Sequence, residues 1–409
     1  MKRKDLVVGI DVGTSNVRVI VGEPLPDNTV NIVGVGLSSS EGLKKGVIVD
    51  LDKTIQSITK AVEEAERMVG FNIKEAYLGL VGINVELISN KGVVAVTSED
   101  REITEEDVER VMQSTRVIPM PSDREIVNVI PRQFIVDGYD GIRDPVGMLG
   151  VRLEVDALVV TTTITTLKNL IRCINRAGIE VSGLVLQSLA NSEVALSRDE
   201  KELGVFLLDL GGGKAELTYF QNGALQNISV LPLGGNHITN DIAVGLRTGF
   251  ETAESIKLEH GCAFAAMSED TKSLEITSVG GDSRHVVSER ELCNFIEPRV
   301  QEIMQMIREE MEKMGVEEMP PAGVVLTGGV SLMDGVSEMA EKMFGTSVRV
   351  AEPHFVGVKS PIYTTAVGLL NYVIRYGREG VPEKREEKKG NPIKSWWERI
   401  KNWFSEIFE

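Results

Sequence analysis

The spacing of apolar residues changes period several times along this chain, and the changes mark out its elements. Two runs, Val7 to Glu23 (VVGIDVGTSNVRVIVGE) and Gly204 to Gly223 (GVFLLDLGGGKAELTYFQNG), each read as an apolar strand, an Asp, a glycine-rich turn and a second apolar strand running back. Turn residues at Asp27-Asn28 and Asn222-Gly223 predict a third strand after each hairpin. One such run would be an ordinary hairpin. Two in the same order predict an internal duplication.

Between Asp52 and Val69 the period lengthens to that of a helix, with Ile55, Ile58, Val62, Ala65 and Val69 on one face, Asp50 or Asp52 as N-cap and Gly70 as stop. Ala76 to Ile88 returns to strand. From about Asn84 to Val159 a polar stretch, an acidic helix (Ile103 to Met112, capped by Thr104), a proline-rich link and short strands predict an inserted subdomain. A strand at Ala157 to Thr162 is expected to resume the first domain, followed by a helix that Gly178 ends.

The second domain is expected from about Ser197, with its own insertion from about Thr239 to Pro320. That insertion reads as a helix at Glu251 to His260, a hairpin around Val279 to Asp282 and a long helix from Glu289 to Met314. Ser288 and Glu291 predict a capping box, and Leu292, Ile296, Val300, Ile303, Ile307, Met311 and Met314 form a core-facing stripe. In the last helical pattern, Ser360 to Tyr376, Ala366 and Gly368 are small enough for a close crossing with the helix after Gln187, which carries Ala190, Ser192 and Ala195.

After Tyr376, GREGVPEKREEKKG has no apolar period and reads as a flexible linker. The segment NPIKSWWERIKNWFSEIFE follows, with Asn391 as N-cap and Pro392 at the first helical position. Ile393, Trp396, Trp397, Ile400, Trp403, Phe404, Ile407 and Phe408 recur at steps of three and four, and all 3 tryptophans of the chain lie here. Lys394, Arg399 and Lys401 flank the aromatic stripe. A helix of this length reaches only ~25 Å and is charged throughout, so it is expected to lie on a membrane surface, not to cross.

Composition narrows the function classes. At 409 residues the chain is expected to divide into two or more domains. No apolar run approaches the ~20 residues of a membrane span, and the basic, apolar start is too short for a secretory signal. A formal net charge of −17 disfavours nucleic acid as a partner. Cys173, Cys262 and Cys293 are odd in number and far apart, which points to core packing in a reducing compartment. His237, His260, His285 and His354 lack metal-ligand spacing.

The chemistry is concentrated in the two hairpins. Glycine turns leave backbone N–H groups free to approach an anion, and a strand-end Asp can hold a hydrated magnesium ion. No G-x-x-x-x-G-K-[ST] occurs, since Gly213-Lys214 is followed by Ala215, and no G-x-G-x-x-G opens a helix after the first strand. Together with GVVLTGGVSLMDGV (Gly323 to Val336), the two runs resemble the phosphate-1, phosphate-2 and adenosine motifs of the actin-like ATPase superfamily. The resemblance implies an α/β, ribonuclease-H-like duplicated two-domain fold with inserted subdomains, one ATP with Mg2+ between the domains, and a hinge at the two connecting helices.

On that resemblance Gly13, Thr14, Ser15, Asn16 and Arg18 face the phosphates from one side, and Gly211, Gly212, Gly213 and Lys214 from the other. Asp11 and Asp209 serve Mg2+, largely through water, and Gly328-Gly329 admits the adenine ring. Glu254 and Lys257, three apart on one helical face, read either as a solvated pair or as the family's ribose and adenine contacts. Gln187 either orients the attacking water or only links domains. Lys214 stands where the usual residue is Thr.

The first-domain insertion and the aromatic tail, with IPRQFIVDG, PVGMLGVRLE, HGCA, SVGG and IEPR, resemble the bacterial cell-division FtsA family over essentially the whole chain. Its subdomains map to 1A (1–83, 160–196 and the connecting helix 360–376), 1C (84–159), 2A (197–238 and 321–359) and 2B (239–320), then a linker (377–391) and a membrane-targeting helix (392–409). The resemblance implies a peripheral protein on the cytoplasmic face of the membrane at the division site. It would form actin-like filaments, bind the C-terminal peptide of the tubulin-like protein FtsZ through 2B, and meet other division proteins. Arg299, in IEPR, is either the partner of an acidic group on that peptide or a surface Arg in an intrahelical salt bridge. Enzymatic activity is expected to be at most slow ATP hydrolysis. MreB-like filaments, PilM-like pilus proteins and small-molecule kinases share the clamp without needing the tail.

Overall fold

A computed structural model describes residues 6–267, 273–277, 284–316 and 318–376. In the first half, strands β1 (Val7–Val12), β2 (Asn16–Pro24) and β3 (Val30–Ser39) form a meander, and a small hairpin β4 (Leu43–Lys44) and β5 (Val47–Ile48) follows. Helix α1 (Leu51–Val69) starts where the Asp50 carboxylate accepts the Lys53 N–H and stops at Gly70, whose φ is +75°. Its Ile58, Val62 and Ala65 pack on Ile10, Val12, Val17 and Val19. Strand β6 (Glu75–Leu80) then pairs parallel with β1.

The insertion consists of β7 (Glu86–Ala95), α2 (Glu105–Ser114), β8 (Arg124–Val136), β9 (Tyr139–Ile142) and β10 (Arg152–Thr163), in sheet order β7-β10-β8-β9. Two expectations are corrected here. Ala76 to Ile88 is not one strand: β6 and β7 belong to different sheets, parted where Gly82 N–H turns to the Glu216 carboxylate and Asn84 takes a φ of +64°. Ala157 to Thr162 does not resume the first-domain sheet. It is the inner part of β10, paired antiparallel with β7 and β8. Thr104 caps α2 in a capping box closed by Asp107.

Helix α3 (Ile164–Arg176) leads to β11 (Glu180–Leu186), which completes a sheet of order β11-β6-β1-β2-β3. Helix α4 (Gln187–Ala195) follows without a loop. The second half repeats the plan. After the short helix α5 (Arg198–Leu203) come β12 (Val205–Leu210), β13 (Ala215–Gln221) and β14 (Ala224–Leu231). Helices α6 (Gly235–Gly245) and α7 (Phe250–His260), the hairpin β15 (Ser273–Thr277) and β16 (Arg284–Ser288), and α8 (Glu289–Lys313) form the second insertion. Then β17 (Val324–Thr327), α9 (Val336–Phe344), β18 (Val348–Val350) and α10 (Thr364–Tyr376) close the described chain. The second sheet has the order β14-β13-β12-β17-β18, the counterpart of the first.

Along α8 the predicted stripe is buried from Leu292 to Met311, Met314 is half-buried, and Ser288 accepts the Glu291 N–H. Helices α5, α6 and α9 were not expected: α5 is a six-residue turn without an apolar face, and α6 begins in Gly234-Gly235. His237 supplies the local reason for α6, because its Nδ1 accepts the Gly234 N–H at the helix start.

The two connecting helices are exchanged between halves. Helix α4 leaves the first sheet and packs Leu189 and Ala195 on Val205, Leu207 and Val325 of the second. Helix α10 leaves the second sheet and lays Ala366, Val367 and Leu370 on the first, against Ile20 and Val30. They cross as expected: a Cβ on Gly368 would stand 2.1 Å from the Ala190 carbonyl oxygen, so only glycine permits the approach. Among the described residues, no helix is long and apolar enough to cross a membrane.

Candidate functional site

The two hairpin turns face each other across the junction of the halves. Each closes in the same way, Gly13 N–H donating to the Asn16 carbonyl at 3.0 Å and Gly211 N–H to the Lys214 carbonyl at 2.9 Å. The amides of Thr14, Ser15, Gly212 and Gly213 make no hydrogen bond among the described residues. The turns touch. A Cβ on Gly212 would lie 2.0 Å from Ser15 Oγ, and one on Gly213 2.6 Å from Thr14 Cγ2. Behind the second turn, Gly235 N–H and Asn236 N–H donate to the Gly211 and Gly212 carbonyls at 3.0 and 2.7 Å.

A buried polar network joins the walls. Asp11 Oδ2 accepts from Arg18 at 3.2 Å, and Asp11 Oδ1 from Gln187 Nε2 at 2.8 Å. The Lys214 ammonium donates to Gln187 Oε1 at 2.8 Å and to Glu216 Oε2 at 2.7 Å. Gly82 N–H of the first half reaches the same Glu216 oxygen at 3.3 Å, and Asn191 of α4 reaches Asp209 at 3.4 Å. Burial pushes the Asp209 carboxyl up to about 6 against the pull of Lys214, and raises Asp11 against Arg18 and Lys214. Lys214 is itself raised, because the carboxylates of Glu216 and Asp209 outweigh its burial.

A second group stands behind the second turn. The buried Lys257 ammonium donates to Glu254 at 2.7 Å, to Thr239 Oγ1 at 2.8 Å and to the Gly235 carbonyl at 3.3 Å. Burial lowers its affinity for the proton. Lys257 is therefore not part of a solvated surface pair. Gly328, with φ +85°, brings its backbone so near that a Cβ would meet Asp209 Oδ1 at 2.4 Å, whereas one on Gly329 would meet only Ile362 at 3.7 Å. Thr327 bonds Thr364 at 2.8 Å and so joins this corner to α10.

The residues present fit a magnesium nucleotide. Two hard carboxylates, four free turn amides and the cationic Arg18 converge, while Arg18 Nε, Asn191 Oδ1 and Glu216 Oε1 are buried polar atoms with no hydrogen-bond partner among the described residues. Glu216, Asn191 and Thr239 were missed in the sequence. A signal existed for Glu216, a lone carboxylate inside the apolar strand AELTYF.

Arg299 takes no part in these contacts, although its partner Asp241 shares α6 with Thr239. It lies on α8, one third exposed, with Nε and Nη2 on the Asp241 carboxylate of α6 at 2.5 and 3.1 Å and Nη1 on Glu302. Both its described partners are acidic. The linker and aromatic helix lie outside the described residues. The three cysteines are free and buried, and no group of three or more His, Cys, Asp or Glu able to hold a metal occurs among the described residues.

Two sheets of matching strand order, swapped connecting helices and facing glycine turns define the actin-like class of ATPase folds. A PilM-PilN type IV pilus biogenesis complex gives a TM-score of 0.63 at 16% identity, covering 90% of this chain and 98% of that one. MreB5 of Spiroplasma citri bound to ADP gives 0.56 at 14%, covering 92% and 99%. Residues 206–368 match the family model "Cell division protein FtsA", and residues 82–161 match "SHS2 domain inserted in FTSA". The cell division protein FtsA of Bacillus subtilis is 48% identical over 92% of this chain and 86% of its own length, and that of Escherichia coli K12 is 35% identical over 99% of each. The chain belongs to the FtsA family of cell-division proteins.

Proposed function

We propose that this cell-division protein binds Mg-ATP between its two halves and uses the bound nucleotide to set a polymerising conformation, with turnover slow. The observation that carries the reading is the pair of facing glycine turns with free amides, flanked by Asp11 and Asp209. Gly13 to Asn16 with Arg18, and Gly211 to Gly213, would hold the phosphates, while Lys214, whose ammonium donates to Gln187 and Glu216, stands beside them. Asp11 and Asp209 would serve the metal, which neutralises phosphate charge when bound. Glu254 and Lys257 would meet the ribose and adenine, and Gly328-Gly329 the ring face. Calorimetry tests this: Asp209→Ala or Gly329→Trp should abolish Mg-ATP binding, and unchanged affinity in both would overturn the assignment.

In the same reading the 2B insertion receives the FtsZ C-terminal peptide, and the 392–409 helix anchors filaments to the cytoplasmic face of the membrane at the division site. Arg299 would exchange Asp241 or Glu302 for an acidic group of the peptide, so Arg299→Glu should weaken peptide binding in fluorescence anisotropy while sparing ATP. One tail is expected to bind lipid reversibly, while tails joined in a filament gain ~10²–10⁴ in avidity. Trp403→Glu should release the protein from anionic liposomes. Flotation of that variant under assembling conditions would remove the tail as the anchor.

A further inference from the structure

We propose that Lys214 is a positioning residue that restrains ATP hydrolysis by occupying Gln187. The inference rests on the nucleotide-binding reading above and concerns the regulation of that site. A glutamine that orients an attacking water must offer its carbonyl oxygen to that water's proton. Here Gln187 Oε1 is taken by the Lys214 ammonium at 2.8 Å, and Gln187 Nε2 is spent on Asp11 at 2.8 Å. Both ends of the amide are engaged.

Lys214 is held in turn. Glu216 Oε2 accepts from it at 2.7 Å, and the same oxygen takes the Gly82 N–H from the other half, so the ammonium is fixed by an anchor that spans the cleft. Lys214 and Glu216 are both buried, which keeps this arrangement from exchanging freely with water. A threonine at 214 is too short to reach Gln187 from this backbone and would leave its carbonyl free. The restrained reaction is simple hydrolysis. Water oxygen bonds to the γ-phosphorus, the bond to the β,γ-bridging oxygen breaks, and ADP, inorganic phosphate and one proton leave.

The test uses the full chain with Mg-ATP. Lys214→Thr should raise kcat about tenfold or more, equivalent to about 1.4 kcal/mol of barrier, with KM moving far less. The gain should vanish in Lys214→Thr combined with Gln187→Ala. Lys214→Met, which keeps the packing and removes the ammonium, should show the same gain if the threonine variant folds poorly, and Lys214→Arg should stay slow. A readout independent of turnover is the Gln187 side-chain amide resonance of the nucleotide-free protein, identified by its loss in Gln187→Ala. It should shift and exchange faster in Lys214→Thr and Lys214→Met. An unchanged resonance, or an unchanged or lower kcat in variants that bind Mg-ATP as the parent does, overturns the proposal. If the parent binds no Mg-ATP, the nucleotide reading itself falls and takes the restraint with it.

Discussion

The two hairpins have one backbone and two electrostatic designs. Asp11 and Asp209 occupy equivalent places, and the cross-strand register puts Arg18 opposite the first and Glu216 opposite the second. Both ladders even break at the same point, between Val21 and Gly22 and between Tyr219 and Phe220. Yet the first carboxylate faces a cation and the second faces another carboxylate, neutralised only because Lys214 reaches back from the turn. Duplication copied the geometry of an anion site without its charges. Divergence at two positions makes the first wall self-sufficient and leaves the second dependent on one ammonium.

Arg18→Met tests the self-sufficient wall and should have the largest effect, a loss of about 3–5 kcal/mol in denaturant unfolding, because it strands Asp11 in a buried place. Gly212→Ala should follow, weakening Mg-ATP about 100-fold or more, or about 2.8 kcal/mol, while Thr14→Ala at the equivalent place of the first turn should cost far less. Equal losses would show that the turns do not press on each other. Glu216→Gln should destabilise by less than half of the Arg18→Met effect, since it frees Lys214 but relieves Asp209 of a like-charged neighbour. A larger loss would make Glu216, not Lys214, the keystone of the second wall.

The smallest effect concerns pH. Asp209 ionises in the folded chain only near 6, against about 4 when unfolded, so below pH ~4 it costs nothing, between ~4 and ~6 stability falls, and above ~6 the cost is complete. Asp209→Asn should therefore raise the metal-free melting temperature by a few degrees at pH 7.5 and by nothing at pH 4. A gain that persists at low pH would trace to packing.

Local chemistry made much of this legible. The glycine turns, the caps at Asp50, Thr104 and Ser288, and the Gly368 crossing depend on neighbours within a few residues or on side-chain size, which the chain displays directly. What stayed hidden was decided across the fold. Glu216 is meaningful only beside Gly82 and Lys214, and the break between β6 and β7 is fixed by that same contact. Strand β10 read as the return of the first-domain sheet because an apolar run does not name its neighbours. Arg299 showed its sequence partner Glu302 but not Asp241, which comes from α6. The absence of metal-ligand spacing among the four histidines gave no hint that His237 would start a helix.

The exchange of α4 and α10 also sets an order in time. The first sheet is complete once Leu186 has been made, but the helix that covers the face around Gly9, Ile20 and Gly22 is the last one described, Thr364–Tyr376. At ~5–20 residues per second a ribosome needs roughly 10–40 s to supply it. For that interval a growing chain carries an uncovered apolar sheet, so the first half waits, within reach of chaperones, for the end of the second.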